Sequence, residues 1–198
     1  MPPRTTLFIA AACLIIAAGC SILAPPPAFK GALYGAPAPP PEFSLPATTG
    51  GTFTLSESRG KITLIFFGYT LCPDVCPQTL GTLRSAFSKL SPEARGQVQL
   101  VFITVDPNRD TLELLGGYLA RFDSGYIGVV PDEAELESLE AGYALYAEVE
   151  PPDADGNYFV GHTGLTYVID KVGNLRLGFF DGMSSDDIVH DLEILAEE

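Results

Sequence analysis

Six residues without a charge, Ile62-Thr63-Leu64-Ile65-Phe66-Phe67, leave this chain few options. A continuous apolar run rich in β-branched and aromatic residues reads as a strand buried on both faces. Such a strand needs a packing layer on each side, and the following sequence offers them. Leu80, Leu83, Ala86, Phe87 and Leu90 recur at helical spacing, and Val98 to Val105 (VQLVFITV) is a second buried strand. The pattern then predicts a helix from Thr111 to about Arg121, capped by Thr111 or Asp110, and a short strand from Tyr126 to Val130. A helix from Asp132 to Ala144 carries acidic residues in its first turn. Strands Thr166 to Ile169 and Leu175 to Phe180 flank the turn Lys171-Val172-Gly173-Asn174, and a helix from Ser184 to Ala196, capped by Ser184 or Ser185, closes the chain. Upstream, Phe43-Ser44-Leu45 and Thr52-Phe53-Thr54-Leu55 alternate around Gly50-Gly51, which is a hairpin signal. The order β-α-β-α-β-α-β-β-α predicts an α/β sandwich with paired final strands and an N-terminal β-hairpin extension. There is no internal repeat. Asp153 to Tyr158 (DADGNY) lacks the downstream Glu of a calcium loop and reads as a turn.

The first residues belong to export rather than to the fold. Arg4 precedes an apolar run from Leu7 to Ala18 that ends Ala17-Ala18-Gly19-Cys20. A basic start, a short apolar core and small residues describe a signal peptide. Cys after Ala-Gly resembles a bacterial lipobox, so residues 1–19 are expected to be removed and Cys20 lipidated. Ala17 stands where that pattern prefers Leu. The alternative is an uncleaved membrane anchor, since Leu7 to Ala24 is just long enough to span. Both readings place the domain outside the cytoplasm and tethered to a membrane. Residues 20–41 are rich in Pro and read as a semi-rigid extended spacer, followed by a folded domain over residues 42–198. A net charge of −14 argues against a nucleic-acid footprint, which needs clustered Lys and Arg.

Ligand sites in such sheets lie at the carboxyl ends of the strands, which points at Gly68-Tyr69-Thr70-Leu71-Cys72-Pro73-Asp74-Val75-Cys76-Pro77. Two Cys spaced i, i+4 at a helix start share one face and can form a disulfide or bind one metal ion. The helix N-terminus favours thiolate. A purely structural Cys72–Cys76 disulfide remains an alternative, though so short a loop adds little stability. His162, in Val160-Gly161-His162-Thr163-Gly164, precedes a strand that this topology brings beside the Cys loop. Soft thiolates with an imidazole suit copper, and zinc is not excluded by ligand type. Asp106, at the end of the second buried strand, is a candidate oxygen ligand or an acceptor that orients His162. Asp110 is expected to cap the next helix and pair with Arg109, and His190 to lie on the surface.

The set F-F-G-Y-T-x-C-P-D-V-C-P, V-D-P-x-R-D-T and G-H-T-G-x-x-Y-x-x-D, in this order between about Pro41 and Glu198, resembles the SCO/SenC family of copper-binding thioredoxin-like proteins. The resemblance implies a thioredoxin-like fold and one copper, as Cu(I) or Cu(II), held by Cys72, Cys76 and His162. It implies a role in assembling the dinuclear copper site of cytochrome c oxidase subunit II. The chain would act there as a copper metallochaperone, fed by an upstream copper donor, or as a thiol-disulfide reductase of that site using Cys72 and Cys76 as a redox pair. A peroxidase is disfavoured by Leu71 and the close second Cys. A pure dithiol enzyme of this fold usually carries a Pro before the penultimate strand, and none follows Pro152.

Overall fold

The computed structural model describes residues 28–198. The expected signal peptide, Cys20 and the first part of the spacer lie outside the described residues. Among the described residues no helix is long and apolar enough to cross a membrane.

The run Ile62–Gly68 forms β4, with every residue buried. It pairs in parallel with β5 (Val98–Thr104), residue for residue from Ile62↔Val98 to Gly68↔Thr104. Beyond β5 lies β6 (Ile127–Val129), also parallel. On the other side of β4, β9 (Thr166–Ile169) and β10 (Leu175–Phe179) add antiparallel strands. The sheet edge beyond β10 is β1 (Ala32–Ala38), giving the order β1-β10-β9-β4-β5-β6. The sheet therefore begins some ten residues before the expected domain start. Part of the Pro-rich spacer is an edge strand, which accommodates Pro37 because only one side of it must hydrogen-bond. Its approach is fixed by Asp191, fully buried, which accepts from the Lys30 amide (2.8 Å) and the Gly31 amide (2.7 Å).

Helices α1 (Val75–Lys89), α3 (Leu112–Leu119) and α5 (Ser185–Glu197) cover one face, burying Leu80, Leu83, Phe87, Leu115, Ile188 and Leu192 against Leu64, Phe66 and Phe102. A short α2 (Pro92–Gln97) precedes β5. The other face packs α4 (Glu133–Tyr143) and the hairpin β2 (Ser44–Pro46)–β3 (Thr52–Thr54) on Ile65, Phe67, Val101 and Ile103. The hairpin turns at Gly50 and Gly51, with φ of 87° and 75°, a region closed to most side chains. The remaining pair, β7 (Ala147–Val149) and β8 (Val160–His162), forms a separate two-stranded sheet that the sequence pattern did not suggest.

Candidate metal centre

The carboxyl end of β4 runs into the loop that carries Cys72 and then into α1, which carries Cys76 in its first turn. The other α-helices each have one first-turn amide capped by a side chain, that of Ser91, Thr111, Asp132 or Ser184. Helix α1 has no such cap and no acidic residue in its first turn. Its Cys76 amide donates instead to Cys72 Sγ at 3.4 Å. The positive end of the helix is thus directed at a sulfur. The Cys76 thiol donating to Cys72, with help from His162 and the Cys76 amide, outweighs burial and holds Cys72 far below the ordinary thiol range, at about 4. The same contact, with burial added, pushes the Cys76 thiol far up, so that Cys76 keeps its proton. The two are free thiols in this structure.

His162 arrives from 86 residues away, at the end of β8, with Nε2 3.5 Å from Cys76 Sγ. Its ring stands edge-on to Phe66 (6.2 Å) and Tyr69 (5.8 Å). Nδ1 lies 3.3 Å from the Thr163 carbonyl. Protonated on Nε2, the ring donates to the sulfurs and helps to hold Cys72 down; protonated on Nδ1, it satisfies that carbonyl and turns the Nε2 lone pair to the sulfurs, the form that would ligate a metal. The sulfurs of Cys72 and Cys76 and a nitrogen of His162 all lie within 4.8 Å of one another. Such a set fits a soft or borderline ion, because two sulfurs and an imidazole nitrogen converge on one place.

Gly68 makes this packing feasible. A Cβ there would stand 2.6 Å from Cys76 Sγ and 2.8 Å from the Phe102 ring.

Neither carboxylate of the β5 loop takes its expected role. Asp106 does not join the metal-binding cluster and does not touch His162. It pairs with the Arg109 side chain and accepts from Tyr158 Oη at 3.0 Å. Asp110 neither caps α3 nor pairs with Arg109; Thr111 is the cap. Asp110 is buried and accepts from the Thr70 amide (3.0 Å), the Thr70 hydroxyl and the Thr104 hydroxyl (2.6 Å). It thereby fixes the loop two residues before Cys72. His190 is exposed, with Nε2 3.2 Å from the Ala28 carbonyl, on a helix away from the cluster.

The sequence matches the SCO1/SenC family over residues 34–197. The chain belongs to the SCO1/SenC family. It is 36% identical over 136 residues to a Stutzerimonas stutzeri protein named for copper binding, covering 69% of this chain and 66% of that one, just under two thirds. Among solved structures it resembles apo Sco1 from Thermus thermophilus (TM-score 0.76, 34% identity, 85% of this chain and 97% of that one). It also resembles Bradyrhizobium japonicum ScoI with copper bound (TM-score 0.72, 35% identity, 79% and 98%). The thioredoxin-like sandwich of this SCO1/SenC chain is the fold of those relatives.

Proposed function

We propose that this domain carries one copper ion between Cys72, Cys76 and His162 and delivers it to the dinuclear copper site of cytochrome c oxidase subunit II. The observation that carries the proposal is the convergence of the three side chains, two sulfurs and Nε2, from segments 86 residues apart. The likeness to a copper-bound ScoI supports it. Thiolates with one imidazole suit Cu(I), and the same set accepts Cu(II). Cys72 and His162 are half-exposed, so an incoming ligand can reach the ion and displace them one at a time. Loading requires Cys76 to release its proton, because the thiolate is the ligand.

A second reading has its own observation. A low-pKa Cys72 beside a protonated Cys76 is the arrangement of an attacking thiolate and a resolving thiol. In that role the Cys72–Cys76 pair is oxidised to a disulfide as a disulfide between the receiving cysteines is reduced to two thiols. Either role suits a domain held outside the cytoplasm at the cell membrane by a lipid on Cys20, or by an uncleaved N-terminal helix, and supplied by an upstream copper donor.

The test is to mix copper-loaded protein with the reduced apo-domain of subunit II and follow metal and thiols separately. Copper moving while the thiol count holds supports the carrier. Mixing metal-free reduced protein with the oxidised domain, and finding its thiols regenerated, supports the reductase. Neither event refutes both.

A further inference from the structure

The hairpin β7–β8 makes no ladder with the main sheet. The place of His162 therefore depends on side chains that tie the hairpin to the body of the domain. Along the segment entering β8, Tyr158, Val160 and His162 face inward, while Phe159 is 53% exposed. Each inward residue has its own anchor. His162 meets Cys76. The Val160 amide donates to Tyr69 Oη at 3.2 Å, and Val160 itself is buried. Tyr158 meets Arg109.

The Arg109 contact is made on three sides. The guanidinium lies over the Tyr158 ring at 3.5 Å, and Nη1 donates to the Tyr158 carbonyl at 2.9 Å. Nε pairs with Asp106, which also accepts the Tyr158 hydroxyl. The same guanidinium stands 5.7 Å from the Tyr69 ring, the residue that holds Val160 and flanks His162. It keeps this pose although Nη2 is buried without a partner. Only a planar, multi-donor cation can stack, donate to a carbonyl and pair with a carboxylate at once.

We propose that Arg109 is a positioning residue for the metal centre: by clamping Tyr158 it sets the strand that presents His162 to the two sulfurs. The inference rests on the reading of His162 as a copper ligand. Asp106 acts only through Arg109 and Tyr158.

The test is a double-mutant cycle on the full chain with Cu(II). Arg109→Ala is expected to speed Cu(II) loss by about tenfold or more, and to weaken the imidazole nitrogen coupling in the electron paramagnetic resonance spectrum. In a His162→Ala background, Arg109→Ala should change Cu(II) loss no further. Arg109→Lys should recover little, since it cannot stack and donate together. In the metal-free protein, Arg109→Ala should also speed exchange of the Val160 amide. If Arg109→Ala does not fold, Tyr158→Phe replaces it in the same cycle, with a smaller effect in the same direction. An Arg109 effect of equal size with and without His162, or an unchanged nitrogen coupling, overturns the inference and leaves the metal centre standing. If His162→Ala alone leaves Cu(II) retention and coupling unchanged, it is the metal-centre reading that falls.

Discussion

Gly68→Ala tests the packing that holds the sulfur pair. The added methyl would sit 2.6 Å from Cys76 Sγ and 2.8 Å from the Phe102 ring, where ordinary contact begins near 3.4 Å. The overlap is thus close to an ångström on one side and more than half of one on the other. Neither neighbour has room to retreat: Cys76 and Phe102 are fully buried, and Phe102 is packed edge-on against Phe66 and Tyr118. The Gly68 φ is not in the left-handed region, so the cost comes from crowding and not from backbone strain. Overpacking of this kind costs about 1–3 kcal/mol. At 1.4 kcal/mol per factor of ten, the folded fraction falls by about 5- to 150-fold relative to unfolded. Relief by moving the Cys76 sulfur would also change its 3.5 Å approach to His162 Nε2. The control is Gly81→Ala, on α1, where a Cβ meets nothing within 4 Å. There the change should stabilise by up to about 1 kcal/mol through helix propensity. Urea unfolding reads both, and the thiolate-to-Cu(II) absorption band reads the site. A Gly68→Ala protein with an unchanged unfolding midpoint and an unchanged band would refute the reasoning.

Replacing His162 by Ala should weaken Cu(II) binding by at least about tenfold, whereas His190→Ala, remote from the cluster, should leave it unchanged; equal effects in a competition titration would remove the ligand assignment. Cys72→Ser and Cys76→Ser should each abolish tight copper binding with the circular dichroism spectrum retained, and unfolding of either would favour a structural disulfide instead. Cys72, held at about 4, should alkylate at a rate nearly flat from pH 6 to 8 and falling below about pH 4. Its depressed pKa adds stability as pH rises from about 4 towards the ordinary thiol value of 9.0, and the raised pKa of Cys76 withdraws stability above that value. The thiol contribution, read as the difference in unfolding midpoint between the parent and Cys72→Ser, should therefore grow between pH 5 and pH 8. Asp191→Ala leaves the Lys30 and Gly31 amides without their acceptor and should cost about 1–3 kcal/mol by urea unfolding.

Strands β4 and β5 were legible because they are buried on both faces, so that nearly every position had to be apolar. The hairpin β2–β3 was legible through Gly50-Gly51, two of the last three helices through their caps at Thr111 and Ser184, and the helix between them through its acidic first turn, though Asp132 proved to be its cap. What failed was whatever depended on a partner distant in sequence. Strand β1 contains no buried residue, and Leu33 is 68% exposed, so neither alternation nor a continuous apolar run marks it. It is a strand because β10 offers it a ladder and Asp191 fixes its approach. Hairpin β7–β8 is too short to show a period, and the polar turn at Asp153 separates its halves. The Cys pair could be read from local spacing and His162 from its glycine neighbours and the strand after it. The carboxylates could not be told apart in the same way. Asp106 and Asp110 stand near the same strand end and flank the same Arg109. Asp110 turns inward because the Thr70 amide and the Thr70 and Thr104 hydroxyls converge there and need an acceptor. Asp106 takes the arginine because Tyr158, 52 residues later, returns to stack on that guanidinium and donate its hydroxyl to the same carboxylate. The division of labour between the two acids is thus decided by the hairpin that carries the imidazole.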